Sequence, residues 1–272
     1  FGRIAAQAAK QVMIQRLREA ERDIIYDEFY NRTDDIITGI IQRIEQKNIY
    51  VDLGKAEAVL PHSEQIATEE YFVGQRIKCY VVEVRKTPKG AQILLSRTHP
   101  GLLKRLFELE VPEISDGVVE LQSVAREPGR RSKIAVYSRD PNVDCVGACV
   151  GPKGARVQNI VMELQNEKID IVKWDQDPAV YIANALSPAQ VISVTVDEEK
   201  KASAVVVPDY QLSLAIGKAG QNARLAAKLT NWKIDIKSES QVEEEDDNDF
   251  IDDDIISELA EPSETADTSE EI

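Results

Sequence analysis

The sequence predicts an α+β protein built from several small domains: an N-terminal helix, a five-stranded barrel, two α/β units of one design, and an acidic tail. Three observations predict this order. Five short β-rich runs share about 65 residues, a Gly-x-x-Gly segment followed by a helix and the string KIDI occurs twice, and negative charge collects at the C-terminal end. A length of 272 residues leaves room for two or three such domains.

The first thirty residues predict one long helix, because apolar residues recur at helical spacing and no proline interrupts them. Such a helix is about 40 Å long and cannot bury itself. We therefore expect a linker helix that ends a truncated domain, since the chain begins in mid-pattern without Met. The predicted domain boundaries are 1–30 for this helix, 33–98 for the barrel, 99–176 and 177–240 for the two α/β units, and 241–272 for the tail.

The barrel is predicted from short β-rich runs between residues 33 and 98, separated by turn signals such as Gly54-Lys55 and Thr87-Pro88. Five strands in so short a segment favour a small closed barrel. Gly39 interrupts the first run, and we expect a bulge or a bend at that position.

The two α/β units are predicted to be copies, because each follows the order αββααβ. Gly151 and Gly154 match Gly217 and Gly220 at an offset of 66 residues, and the KIDI strings match at 65. An internal repeat of this period indicates that one supersecondary unit was used twice.

Each copy contains a corner between two helices, the first corner at Gly151–Gly154 and the second at Gly217–Gly220. The amides that begin the following helix have no partner within it, and they carry the positive end of the helix dipole. Such an end attracts phosphate, and glycine leaves room for a sugar-phosphate chain to approach. One lysine in each corner, Lys153 and Lys218, adds positive charge. A nucleotide-binding loop of Walker type needs a different spacing and a hydroxyl group, so it is rejected.

This frame resembles the KH domain in its type II arrangement, where the loop clamps the backbone of about four nucleotides. The signature is matched by Val150-Gly151-Pro152-Lys153-Gly154 and by Ile216-Gly217-Lys218-Ala219-Gly220. Downstream arginines on the first turns of the helices are expected to reach phosphates. The predicted RNA-binding residues of the two units are Gly151, Pro152, Lys153, Gly154, Arg156, Gly217, Lys218, Ala219, Gly220, Gln221 and Arg224.

The barrel segment resembles the S1 type of RNA-binding OB-fold, on the strings AEAVLPHSEQ and ILLSR. Barrels of that family use exposed aromatic and basic side chains to stack bases and hold phosphates. By position, the resemblance implies RNA contacts at Tyr50, Lys55, His62 and Arg97. The family's paired Phe before the histidine is absent here, so we expect weak stacking or binding through charge alone.

The whole order, a long helix, an S1 barrel and two KH units, resembles a family of bacterial transcription elongation factors. The resemblance implies a cytoplasmic monomer that binds RNA polymerase, nascent single-stranded RNA and other elongation or antitermination factors, and that modulates pausing, termination and antitermination. The first thirty residues would then end the polymerase-binding domain. Two alternatives stay open: a fragment of an RNA-processing enzyme of polynucleotide phosphorylase type, and a ribosome-associated structural RNA-binding protein. The order of the domains speaks against both.

The formal net charge of −15 would disfavour RNA binding if it were spread evenly. Fifteen Asp and Glu and no Lys or Arg follow Ser240, which leaves 33 acidic and 33 basic residues in the preceding 240. The body is therefore neutral, and the tail lacks the apolar mass to fold, so we expect it to be disordered. Three cysteines form no disulfide framework and no metal-ligand pattern. We find no nucleophile paired with a base, and we expect no cofactor, no metal and no enzymatic activity.

Overall fold

The structure is a computed structural model that describes residues 2–88 and 90–243. The chain divides into two compact units, one that ends at Asp175 and one that begins at Gln176. Of the acidic tail predicted at 241–272, residues 244–272 lie outside the described residues.

The predicted N-terminal helix is confirmed as α1, which runs over Gly2–Tyr30. Its last turns pack on the barrel, where Phe29 joins the buried core. Two ion pairs, Lys86 with Asp23 at 2.6 Å and Lys55 with Glu28 at 2.8 Å, join the same end of the helix to the barrel. The tertiary packing of α1 described in the first unit is thus concentrated at its C-terminal end.

The barrel is confirmed as a closed sheet of five strands in the order β1-β2-β3-β5-β4, with β4 returning to β1. The pair β3 and β5 is parallel, and the other neighbours are antiparallel. Apolar side chains that alternate along the strands fill the interior. The strands are β1 Ile36–Glu45, β2 Asn48–Asp52, β3 Glu57–Leu60, β4 Arg76–Thr87 and β5 Gly90–Ser96.

The expected role of Gly39 needs correction. The irregularity in the pairing of β1 with β2 lies between Ile41 and Arg43, two residues beyond the glycine. Gly39 itself is buried, and a Cβ atom there would lie 2.4 Å from Val51 Cγ1. The glycine is needed because a neighbouring side chain approaches closely, whereas the bulge is made by residues with side chains.

The first α/β unit places α2 and α3 before a three-stranded sheet of order β6-β7-β8, in which β7 and β8 are parallel. Cys145 and Cys149 lie in its core, and burial raises the pKa of the Cys149 thiol to about 12. The elements are α2 Pro100–Glu110, α3 Pro112–Ser115, β6 Val119–Glu127, β7 Arg131–Ser138, α4 Cys145–Val150, α5 Ala155–Glu163 and β8 Lys168–Lys173.

The second α/β unit repeats this design, with the sheet order β9-β10-β11 and β10 parallel to β11. The predicted αββααβ repeat is therefore confirmed in both copies. Its elements are α6 Pro178–Ala185, β9 Ser193–Asp197, β10 Ala202–Val207, α7 Leu212–Ile216, α8 Gln221–Thr230 and β11 Lys233–Ser238.

Candidate nucleic-acid interface

The two corners have the same backbone. In the first, α4 ends at Val150 and α5 begins at Ala155, and in the second, α7 ends at Ile216 and α8 begins at Gln221. All four corner glycines have positive φ, with values of 74° and 78° in the first corner and 75° and 71° in the second. L-residues rarely adopt this region, so the backbone itself requires the glycines.

The middle residues of the corners are exposed but not equivalent. The second middle residue is left-handed in both, with φ of 54° at Lys153 and 53° at Ala219. The lysine of the first corner therefore occupies the left-handed position, whereas Lys218 occupies the position that corresponds to Pro152. Each corner has one lysine, as predicted, but the two lysine side chains are attached at different positions of the corner.

The helices that follow the corners have no side-chain cap. Gly154 and Gly220 are their N-cap residues, so no side chain caps the first turn, and neither helix has an acidic residue there. Helix α5 has 9 residues and α8 has 10. The first N–H of each helix donates to a carbonyl oxygen within its corner, Ala155 to Pro152 and Gln221 to Lys218. The uncapped first turn and the positive end of the dipole come directly after the exposed lysine of each corner, an arrangement that favours phosphate.

The residue two places beyond each corner ties the helices together. Arg156 Nη1 donates to the Ala148 carbonyl oxygen at 2.6 Å and to Glu113 Oε2 at 2.8 Å. At the offset of 66 residues lies Asn222, whose amide donates to the carbonyl oxygens of Ala215 and Leu186, both at 3.0 Å. Each side chain bonds back to the helix before its corner, so this position fixes the corner in both units. The predicted phosphate contact of Arg156 stays a prediction.

The same position explains the first glycine of each corner. A Cβ atom on Gly151 would lie 2.6 Å from Arg156 Cγ, and one on Gly217 would lie 2.9 Å from Asn222 Cβ. The side chain that ties the helices passes directly over the glycine. Sequence reasoning missed Asn222, although alignment of the two copies places it opposite Arg156.

Arg224 lies at the second corner. It is exposed on the first turn of α8, and its Nη1 donates to the Ala219 carbonyl oxygen at 3.2 Å. The guanidinium therefore lies against the backbone of the second corner. Gln221, the first residue of α8, is half-buried beside it. The second corner thus brings together two cationic side chains and a helix start.

On the barrel, two of the predicted RNA-binding residues, Tyr50 and Lys55, already contact other side chains. The Arg43 guanidinium carbon lies 3.9 Å from the centroid of the half-buried Tyr50 ring, and Arg43 also pairs with Glu57. Lys55 pairs with Glu28 of α1 at 2.8 Å. A nucleotide at Tyr50 would have to displace Arg43 from that face of the ring, so the structure gives this surface less free cationic charge than the corners.

The other two barrel residues differ in exposure. His62 is exposed on a short 3₁₀ turn between β3 and β4. Arg97 is only 2% exposed and is bonded to Glu69 and to the carbonyl oxygens of Lys78 and Glu163. The expectation that Arg97 contacts RNA needs correction, because its guanidinium is out of solvent and joins the barrel to the end of α5.

Models of four domain families match the chain. They are the NusA N-terminal domain at residues 1–23, the S1 RNA binding domain at 30–96, the NusA-like first KH domain at 97–174 and the NusA-like second KH domain at 178–244. The order agrees with the predicted fold class. Among helices in the described part of the chain, none is both long enough and apolar enough to cross a membrane.

Curated relatives carry the same domains. The chain is 68% identical to the Transcription termination/antitermination protein NusA of Halalkalibacterium halodurans and 67% identical to that of Bacillus subtilis. Each match covers 90% of this chain, and 64% and 66% of the relatives. The protein of the same name from Mycobacterium tuberculosis is 53% identical over 88% of this chain and 72% of its own length. The chain thus spans slightly less than two thirds of the first two relatives.

Proposed function

The chain belongs to the NusA family of transcription termination/antitermination proteins, and on that premise we propose that it binds nascent single-stranded RNA without catalysing a reaction. The observation that carries the proposal is the pair of glycine corners. Each presents an exposed lysine beside a helix start that has no side-chain cap and no acidic residue in its first turn. In this role the protein modulates pausing, termination and antitermination.

The phosphate backbone of the RNA lies across the corners in this mechanism. Glycines without side chains permit the strand to approach, and the helix amides donate to phosphate oxygens. Lys153, Lys218 and Arg224 supply charge, which makes affinity depend on salt because bound counterions are released. Phosphate contacts position the strand, and unpaired bases are read beside each corner.

Two weak corners on one chain bind more tightly than either alone. Once the first corner holds the strand, the second contact is intramolecular, and its effective concentration is set by the short connection between the units. The units meet in sequence at Asp175 and Gln176, so the linker between them is only a few residues long. We expect the gain to appear only with RNA long enough to occupy both corners.

The partners follow from the same proposal. RNA polymerase and further elongation or antitermination factors would hold the protein at the exit of the transcript, with α1 as the end of a polymerase-binding domain. This places the protein in the cytoplasm, as a monomer. The barrel contributes less RNA affinity than the corners, because Arg43 and Lys55 are paired with acidic side chains.

Replacing the middle pair of each corner by two aspartates tests the proposal. The changes are Pro152→Asp with Lys153→Asp, and Lys218→Asp with Ala219→Asp, made separately and together. Because repulsion replaces attraction, we expect about a tenfold loss of affinity for single-stranded RNA for each corner. The slope of log affinity against log salt should fall by about 0.7 for each lysine removed. Titration at two salt concentrations measures both.

A charge-matched control is available on α1. Lys10→Asp with Gln11→Asp makes the same change in charge at two exposed positions of the helix. We expect this control to retain most of the affinity. Undiminished binding by the variant with both corners changed, while its circular dichroism stays native, would refute the proposal.

A further inference from the structure

An exposed apolar surface precedes the second corner. Tyr210 is 76% exposed, Leu214 is 44% exposed and Ile216 is 38% exposed. They lie on α7 and on the 3₁₀ turn that leads into it. Single exposed apolar residues are ordinary on protein surfaces, but these three lie within seven residues and end beside a cationic corner.

Hydrogen bonds fix the segment that carries the Tyr210 side chain. The carboxylate of Asp209, the neighbour of Tyr210, accepts hydrogen bonds from the backbone N–H and the hydroxyl of Ser240. On the other side, Gln211 Oε1 accepts from the backbone N–H of Gln190 at 3.4 Å. Both neighbours of Tyr210 are therefore tied down, while the ring itself is left in solvent.

Tyr210 lies a short way from the corner along the chain. It is on the 3₁₀ turn Asp209–Gln211, and α7 then runs from Leu212 to Ile216, directly before Gly217. At a rise of about 1.5–2.0 Å per helical residue, Tyr210 lies roughly 10–14 Å from Gly217. A strand whose phosphate is held at the second corner would bring an adjacent unpaired base to this surface.

The first unit lacks this surface. At the offset of 66 residues, Asp144 stands where the second unit has Tyr210, and Ala148 stands where it has Leu214. Asp144 is exposed and acidic, so it would repel a phosphate and has no flat apolar face for a base. The corner backbones themselves agree within a few degrees of φ.

We propose that Tyr210 is a base-stacking residue, which packs against an unpaired nucleobase next to the phosphate held by the second corner. The inference rests on the proposed binding of RNA. A base can stack on an aromatic ring whatever its identity, because every base has a flat face. The occupant is a nucleic acid because the adjoining residues are the exposed Lys218 and Arg224 and the positive end of the uncapped helix α8, which complement phosphate. The second corner then has an aromatic stacking partner for a base, which the first corner lacks.

The experiment compares Tyr210→Ala, Tyr210→Leu and Tyr210→Phe in the full chain. The probes are a single-stranded RNA and an abasic phosphodiester strand of the same length. We expect Tyr210→Ala and Tyr210→Leu to weaken binding of the RNA about tenfold, or about 1.4 kcal/mol. Tyr210→Phe should bind RNA as the parent chain does. The abasic strand should bind all four proteins equally, and the salt slope should not change.

Separate results identify which idea fails. If the two corners with aspartates lose affinity but Tyr210→Ala does not, the stacking inference is wrong and the proposed function stands. If the aspartate variants bind normally, the proposed function fails, whatever Tyr210 does. Equal loss of RNA and abasic strand in Tyr210→Ala overturns stacking, because it points to a lost phosphate contact or altered fold. If Tyr210→Leu binds RNA as tightly as the parent chain, stacking is also overturned, because apolar contact without a ring would then suffice.

Discussion

The two α/β units share one backbone design but stabilise it with different chemistry at matching positions. Glu167 precedes the KIDI string in the first unit, and Trp232 stands at the same place in the second. Glu167 is fully buried and pairs with Arg126 through two bonds of 2.9 Å. Trp232 instead receives the ammonium group of Lys201 at 4.8 Å from its ring centroid.

Each oxygen of the buried Glu167 carboxylate accepts two hydrogen bonds. Besides Arg126, the carboxylate of Glu167 accepts from the Ser132 hydroxyl at 2.6 Å and from the Gly129 backbone N–H at 2.8 Å. Burial raises the pKa of Glu167, but the bonds from Arg126, Ser132 and Gly129 outweigh it and hold that pKa below its ordinary value. The two units therefore share their backbone and apolar pattern, whereas the polar interactions that stabilise each copy differ.

Removal of one cation from each unit should give the largest difference between the two units in lost free energy of unfolding. Arg126→Ala leaves a buried carboxylate without its partner, so we expect it to lower the free energy of unfolding of the first unit by about 3–5 kcal/mol. Lys201→Ala removes a cation at the protein surface that lies over an aromatic ring, and we expect a loss of about 0.5–1 kcal/mol. Urea unfolding measures both.

The two tryptophans of the chain allow each unit to be followed separately. Trp174 packs edge-on against Tyr137 in the first unit, and Trp232 lies in the second. Trp232→Phe leaves Trp174 as the reporter for Arg126, and Trp174→Phe leaves Trp232 for Lys201. Arg139→Ala, which removes a mostly exposed cation paired with Glu120, is the control for charge loss. Similar effects from Arg126→Ala and Lys201→Ala would contradict the contrast.

Removal of Asn222 or Arg156, which bond the corners to the preceding helices, should give a smaller difference in stability between the units. Here the second unit should lose more than the first. Asn222 is 1% exposed and donates two bonds to backbone carbonyls. Asn222→Ala leaves both carbonyls buried without this partner, so we expect a loss of about 2 kcal/mol in the second unit. Arg156 is partly exposed, and water can replace part of its bonding. We expect Arg156→Ala to lower the free energy of unfolding of the first unit by about 1 kcal/mol.

Both variants should also weaken RNA binding, because the corner loses the side chain that orients it. Arg156→Gln serves as a matched variant, since it keeps an N–H donor while removing the charge. If Arg156 acts only by positioning, Arg156→Gln should retain the salt slope of the parent chain. A reduced slope would show that the guanidinium contacts phosphate, as the sequence predicted.

The backbone of the site was predictable from sequence, because it depends on local patterns. The repeat period, the Gly-x-x-Gly corners and the alternating strands each report neighbouring residues, and the structure confirms them. The contacts of Arg97 and Arg43 were not predictable in this way. Arg97 looks like a nucleic-acid ligand in sequence, but Glu69 bonds it once the barrel has closed. Arg43 pairs with Glu57 and lies over the ring of Tyr50, which the sequence predicted as an RNA contact.

Gly39 and Asn222 show the same limit. The reason for each is a close approach by another segment, Val51 in one case and the Leu186 carbonyl in the other. A single sequence records that a glycine or an amide is present, but not which neighbour requires it. The repeat itself offered the one additional signal, since Asn222 aligns with Arg156.

The smallest expected difference concerns Lys153 and Ala219, the left-handed residues of the two corners. A left-handed conformation costs an L-residue about 1–2 kcal/mol, and glycine avoids that cost but loses more entropy on folding. We therefore expect Ala219→Gly to raise the free energy of unfolding of the second unit by about 0.5 kcal/mol. Urea unfolding with Trp232 as the reporter measures this change. Ala223→Gly in the interior of α8 is the control, because it should destabilise the same unit by about 1 kcal/mol.

The matching change in the first corner separates strain from function. Lys153→Gly should relieve the same backbone strain, but it also removes the charge that the first corner presents to phosphate. We expect Ala219→Gly to retain RNA affinity and Lys153→Gly to lower it about fivefold, with a shallower salt slope. If both substitutions leave affinity unchanged, the left-handed lysine contributes no charge to RNA binding. The first corner would then act through its helix amides alone, and the different placement of the two lysines would have no functional consequence.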